Sequence, residues 1–274
     1  YCSKSTHTWV EKAAILFGLG SDAIRWIPVD AANRMDIGAL EERIKKDEKD
    51  GNAPFMVIGT AGDVSTGVID NLKDIASISK KYDLWFHIDG AYGGAAILSK
   101  KGSALLKGIE KADSLTIDPH KWLYQPYEMG CLLVRNHKWL SQAFSEKPEY
   151  LRDIEGNTSE INFYDHGIQL TRRFRALKFY MSMKTFGLNA FKKAVSYSID
   201  LAEDVETYLR KSRNWEVISP ATLAVINFRY NPIDKSFSDK ELDTINQTIS
   251  EKIVDSRDAL LVTTILQNQV VLRM

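Results

Sequence analysis

The chain has 274 residues, 44% of them hydrophobic and 26% charged, which is enough apolar material for a sizeable core and excludes a disordered segment. Its 36 basic side chains balance its 36 acidic ones, so no excess charge favours a nucleic acid or an anionic membrane, and a small-molecule enzyme stays open. Two cysteines, Cys2 and Cys131, build no disulfide framework; with no secretory leader and no apolar run of bilayer length, a reducing cytoplasm is the expected compartment. The chain starts at Tyr1 and stops at Met274 directly after the apolar run Gln269-Val270-Val271-Leu272, and it is read as a fragment at both ends.

Short apolar runs alternate with helical periodicity, and no internal repeat interrupts them, so the expected class is α/β. Pro54-Phe55-Met56-Val57-Ile58-Gly59 reads as a strand. Asp70 is then expected to cap a helix with Leu72, Ile75, Ala76 and Ile78 on one face and Lys80 and Lys81 at its C-terminal end. Leu84-Trp85-Phe86-His87-Ile88 reads as a buried strand that Asp89 closes before Gly90-Ala91-Tyr92-Gly93-Gly94. A further apolar stretch, Ser114 to Ile117, leads into Asp118-Pro119-His120-Lys121-Trp122. Strand, helix, strand in this order implies a mostly parallel sheet, and ligands of such sheets bind beyond the carboxyl ends of the strands, where Asp89 and Lys121 both fall.

After Arg135 the chain turns polar from Glu146-Lys147-Pro148-Glu149-Tyr150 to Gly156-Asn157-Thr158-Ser159, too long for a tight connection and read as a lid. Helical pattern is expected to resume at Arg172 and end at Gly187, with a second helix from Asn189 to about Arg213. Glu216-Val217-Ile218 and Leu223 to Phe228 read as strands, followed by a helix from Ser238 to about Asp255 and a strand from Leu260 to Thr263. The expected division is a partial large domain, 1–187, and a partial small α+β domain, 188–274.

Two of these residues suggest a pyridoxal-phosphate site. Lys121, at a strand-to-loop junction between His120 and Trp122, can form a Schiff base if burial disfavours its ammonium form. Asp89, at a strand end, can pair with a pyridinium nitrogen, so that the ring draws electrons from the substrate's Cα. Each candidate has a plainer reading. Lys121 alone would be a surface lysine, His7 a solvated or capping residue, and Tyr150 a loop aromatic docked on a neighbouring surface. Arg172, Arg173 and Arg175 read as helix-surface or dimer-interface charges, with Arg172 and Arg175 on one face. Gly93-Gly94 lacks the spacing of a phosphate-binding fingerprint, Cys131 reads as a buried inert thiol, and the five histidines form no ligand-spaced metal cluster.

Taken together, the motifs resemble the group II pyridoxal-phosphate-dependent amino-acid decarboxylases, most closely the aromatic-L-amino-acid decarboxylase branch. The resemblance rests on Ser3-Lys4-Ser5-Thr6-His7 through Lys12-Ala13, Thr66-Gly67-Val68-Ile69-Asp70, Trp85 through Tyr92, Asp113-Ser114 through Trp122, and Arg172-Arg173-Phe174-Arg175-Ala176-Leu177. It implies the aspartate-aminotransferase fold (fold type I) and an obligate homodimer with active sites shared at the subunit interface. It also implies Lys121 as the Schiff-base lysine, Asp89 as the partner of the ring nitrogen, His7 stacked on one cofactor face near the substrate carboxylate, and Ala91 beneath the other face. His120 and Asp118 would seat the phosphate and hold Lys121. The branch often has Asn at the place of Asp118 and a hydroxyl residue at the place of Val64; an acid beside a phosphate is unfavourable, and a valine donates no hydrogen bond.

Tyr150, in Pro148-Glu149-Tyr150-Leu151, matches the loop tyrosine that protonates the carbanion once carbon dioxide has left. Relatives with Phe there make aldehydes oxidatively, so Tyr150 favours plain decarboxylation. The implied function is conversion of an L-amino acid, aromatic by branch similarity (tyrosine, DOPA or tryptophan-like), to its amine and carbon dioxide. The alternatives are decarboxylation of glutamate, diaminobutyrate or sulfinoalanine, and a non-catalytic member of the family.

Overall fold

The computed structural model describes residues 1–145 and 161–274. In chain order the elements are β1 (Cys2–Ser3), α1 (Trp9–Leu16), β2 (Trp26–Ile27), α2 (Ile37–Lys49), β3 (Met56–Thr60), α3 (Leu72–Lys81), β4 (Trp85–Asp89), α4 (Lys100–Leu105), β5 (Ser114–Ile117), β6 (Cys131–Val134) and α5 (Lys138–Phe144). There follow α6 (Ala176–Phe186), α7 (Leu188–Arg210), β7 (Trp215–Thr222), β8 (Val225–Tyr230), α8 (Asp239–Ser256), β9 (Val262–Leu266) and β10 (Gln269–Arg273).

The first sheet runs β2-β1-β3-β4-β5-β6, parallel throughout except for β6, which pairs antiparallel with β5 at the edge. Val57, Phe86 and Ile88 are buried as near-continuous runs, as strands covered on both faces must be. They join Leu40 and Ile44 of α2, Leu72 and Ile75 of α3, and Val195 of α7 in one apolar cluster. In the register, Thr60, Asp89 and Thr116 form a row across the carboxyl ends of β3, β4 and β5. That row is where a parallel sheet presents its ligand site.

The second sheet, β7-β8-β10-β9, is antiparallel and covers a smaller cluster of Leu209, Ile226, Phe228, Leu261 and Leu272. Helix α7 spans both bodies, packing Phe191, Val195 and Ile199 in the first cluster and Leu209 in the second. Ser238 and Glu241 form a capping box at the start of α8, the S-x-x-E signal its sequence carries.

Several local expectations are corrected. Asn71, not Asp70, caps α3; Asp70 is buried and accepts backbone N–H groups from Thr60 at 2.8 Å and Met35 at 2.6 Å. The run from Arg172 to Arg175 is not helical, because α6 begins at Ala176 and the side chains of Arg173 and Arg175 both reach Glu128 instead. The Arg175 guanidinium holds the Glu128 carboxyl below the usual carboxylate range. β9 lies later than Leu260 to Thr263, since Gln267 and Asn268, with φ of 52° and 62°, make the two-residue turn that pairs it with β10. Cys131 is only partly buried on the edge strand, although burial still raises its thiol pKa. Among the described residues no helix is long and apolar enough to cross a membrane.

Candidate active site

Beyond the Thr60-Asp89-Thr116 row lies a cavity of about 270 Å³, walled by His7, Trp9, Asp63, Asp89, Ala91, Asp118 and Lys121 among others. Asp89, buried as the last residue of β4, presents both carboxylate oxygens to N–H donors. Oδ1 accepts from the Ala91 backbone at 3.1 Å and Oδ2 from the Trp9 indole at 2.6 Å. The sharp turn after Asp89 requires glycine at 93, where a Cβ would lie 2.3 Å from the Ala61 carbonyl oxygen.

Lys121 follows β5 in a turn closed by its backbone N–H to the Asp118 carbonyl at 2.9 Å. Its Nζ is 2.9 Å from Asp118 Oδ2. The turn is tied to the neighbouring strand twice. The Asp118 N–H donates to the Ala91 carbonyl at 3.0 Å, and buried Trp122 stacks on Tyr92 with centroids 4.7 Å apart and planes at 7°. His120 sets its Nδ1 against the Met129 backbone, 2.7 Å from the oxygen and 2.9 Å from the nitrogen. Its Nε2 remains 3.8 Å from Asp118 Oδ2.

His7 comes from a turn closed by Thr6 N–H to the Ser3 carbonyl, and buried hydroxyls reinforce it: Ser3 to Thr6 at 3.2 Å and Thr6 to Thr60 at 3.2 Å. This chain anchors the start of α1 to the end of β3. His7 Nδ1 accepts the Trp9 backbone N–H at 3.2 Å, and the residue lines the cavity. Next to it, Asp63 organises the loop after β3 by accepting from Ser65 N–H at 2.7 Å, Thr66 N–H at 3.0 Å and the Thr66 hydroxyl. The second sheet holds the same loop through Asn227 Nδ2 to the Ser65 carbonyl at 2.9 Å and Arg273 Nη1 to the Val64 carbonyl at 2.6 Å. Val64 itself is exposed and lines the cavity.

The structure therefore gathers Lys121, Asp89, His7, Ala91 and Asp118 around one cavity, while His120 has its Nδ1 on the Met129 backbone and its Nε2 near Asp118, and Tyr150 lies outside the described residues. Trp9, Thr60 and Thr116 escaped the sequence reading, since nothing in a lone Trp or Thr reveals which strand end it will meet. Asp63 had a signal, because an Asp followed two and three positions later by Ser and Thr is a common side-chain-capped turn.

Residues 1–231 match the pyridoxal-dependent decarboxylase conserved domain. Aromatic-L-amino-acid decarboxylase from Bacillus atrophaeus is 45% identical over 275 residues, covering 100% of this chain and 57% of the relative. The solved Oryza sativa TDC with PLP and tryptamine superposes with a TM-score of 0.92 at 28% identity, over 100% of this chain and 57% of that one. Mouse CSAD in apo form gives a TM-score of 0.90 at 26% identity, over 100% of this chain and 58% of that one. The chain thus spans a little over half the length of these proteins, and the matched domain takes in every wall residue of the cavity. By sequence, by fold and by the residues at its sheet edge, the chain belongs to the pyridoxal-dependent decarboxylase family.

Proposed function

We propose that this chain is the cofactor-binding core of a pyridoxal-phosphate-dependent enzyme that decarboxylates an aromatic L-amino acid to its amine and carbon dioxide. The observation that carries the reading is the meeting of Asp89 and Lys121, from neighbouring strand ends, in the wall of one cavity. The residues present fit the cofactor: an anchored carboxylate, a primary amine, an imidazole and a small methyl side chain share that cavity. Asp89 would hold the ring nitrogen, Lys121 the aldehyde carbon, His7 one ring face and Ala91 the other, with Asp118 keeping Lys121 in place. The aromatic class is supported by the 45% identity to the Bacillus atrophaeus enzyme rather than by the fold, which matches TDC and CSAD almost equally.

When bound, pyridoxal phosphate supplies a conjugated ring that takes up the electron pair left behind by carbon dioxide. The protein's part is orientation and proton handling. Asp89, held by two N–H donors, would orient the ring from its nitrogen end. His7 would lie over the cofactor face near the substrate carboxylate, and Tyr150 would deliver the proton to Cα. Tyr150→Phe is expected to slow amine formation and, under dioxygen, to release aldehyde and peroxide; an unchanged amine yield would remove Tyr150 from the mechanism.

We further propose a cytoplasmic homodimer with shared active sites. A cavity of about 270 Å³ falls just short of the roughly 300–1,000 Å³ usual for small-molecule sites, which supports a wall supplied from elsewhere. Exposed Phe163, Leu170 and Phe174 support an apolar surface that a second subunit would cover. The test is an absorbance spectrum of the full-length protein with pyridoxal phosphate, from roughly 300 to 500 nm, before and after L-tyrosine, L-tryptophan, L-DOPA or L-glutamate. A band that shifts with an aromatic amino acid while carbon dioxide evolves is the expected result. Lys121→Ala should lose the band and keep its circular dichroism, whereas a retained band would refute the role of Lys121.

A further inference from the structure

Asp89 is the cofactor-side carboxylate of the reading above, and what fixes it is the indole of Trp9. A carboxylate on a strand end can rotate about two side-chain bonds. Here the Ala91 backbone N–H restrains Oδ1 at 3.1 Å and the Trp9 Nε1–H restrains Oδ2 at 2.6 Å, so both rotations are stopped. The shorter bond is the side-chain one.

Trp9 is itself braced. It is the first residue of α1, and its ring meets His87 edge-on, with centroids 5.7 Å apart and planes at 80°. His87 is buried on β4 two residues before Asp89, on the same side of the sheet, and its Nδ1 lies 2.8 Å from the Ser114 hydroxyl of β5. The Trp85 indole N–H, which can only donate, takes Ser114 Oγ as its acceptor at 2.8 Å. Ser114 Oγ can donate to His87 Nδ1 or accept from it through its second lone pair, so the hydroxyl holds the ring in place in either tautomer. Burial lowers the pKa of His87 and keeps that ring neutral. Trp9, like Thr116, also lines both the site cavity and a larger apolar cavity.

We propose that Trp9 is a positioning residue for the decarboxylation site: its indole N–H, braced by His87 and Ser114, sets the plane in which Asp89 meets the cofactor's ring nitrogen. The proposal rests on the pyridoxal-phosphate reading, but it has a signature that needs no cofactor.

The experiment uses the full-length protein with ¹⁵N-indole tryptophan, with wild type, Trp9→Phe and Asp89→Asn compared by ¹H–¹⁵N spectra without cofactor, and then by titration with pyridoxal phosphate carrying ¹⁵N in its ring. Trp9→Phe keeps an aromatic ring at this position but removes the donor together with the second ring, which is why the ring-nitrogen resonance is read alongside the affinity. The expected result is an indole resonance, absent in Trp9→Phe, that moves in Asp89→Asn. Trp9→Phe should also bind the cofactor about tenfold more weakly, as loss of a hydrogen bond to a charged group predicts, with the ring-nitrogen resonance displaced towards that of Asp89→Asn. An unmoved indole resonance in Asp89→Asn overturns the proposal even if Trp9→Phe fails to fold. Weaker binding with an unmoved ring-nitrogen resonance also overturns it, since packing alone would then explain the loss. Failure of the wild type to take up pyridoxal phosphate, with the indole resonance moving as expected, instead overturns the cofactor reading and reduces Trp9 to a structural partner of Asp89.

Discussion

Asp70 shows how one buried carboxyl can shape the molecule's response to pH. It sits at the turn into α3, where it joins β3 to the loop before α2 by accepting the N–H groups of Thr60 and Met35. Burial pushes its pKa from the usual 3.8 up to about 6, with the two N–H donors opposing the shift only in part. Between those values the folded state binds the proton more tightly than the unfolded chain does, so Asp70's contribution to stability falls as pH rises from about 4 to about 6 and then levels off. Asp70→Asn should remove that slope and cost about 1–3 kcal/mol near pH 4, because its amide NH₂ must face one backbone N–H. Urea denaturation of both proteins from pH 4 to 7 checks this; parallel stability curves would show that Asp70 does not titrate in this range.

The loop between β3 and α3 is where the two sheets meet the site. Its backbone carbonyls at Val64 and Ser65 are held by Arg273 of β10 and Asn227 of β8, while Asp63 and Val64 face the cavity. At Gly67 the chain has φ of +70°, and a Cβ there would lie 2.5 Å from the Thr222 carbonyl oxygen of β7. Gly67→Ala therefore meets two penalties, left-handed backbone and a clash with backbone that cannot swing aside. About 2–4 kcal/mol of stability should be lost, together with cofactor affinity, because the loop must leave either the sheet or the cavity. Calorimetry with a cofactor titration reads both effects; an unchanged melting temperature would mean the loop is not clamped as described.

For the whole molecule, the arrangement is a mostly parallel sheet whose carboxyl edge carries the candidate site and an antiparallel sheet that braces it, joined by α7 through both apolar clusters. The proposed shared site requires a second subunit. Sedimentation of the full-length protein should give twice the chain mass, and replacing both exposed Phe163 and Phe174 by Asp should reduce it to one. A monomeric wild type with full activity would sink the dimer.

Strand β5 was legible to the residue and β4 to within one, because continuous apolar runs bounded by polar turns have few other uses, and the placing of Asp89 and Lys121 at or beyond their ends followed from the parallel-sheet rule. The family motifs named His7 and Ala91 as well, and both line the cavity. The errors fell where a contact distant in sequence outweighed a local preference. Asp70 had the chemistry of a cap but was drawn inward by Thr60 and Met35, and the Arg172 to Arg175 run lost its helix to Glu128, more than forty positions away in sequence. Local pattern thus decided which segments became strands and helices and which side chains reached the sheet edge, since hydrophobic periodicity and turn chemistry act over a few residues. Tertiary packing alone decided that His120 Nδ1 would meet the Met129 backbone, and that the Trp9 indole would close on Asp89, 80 positions further along the chain, because such bonds depend on which surfaces burial brings together.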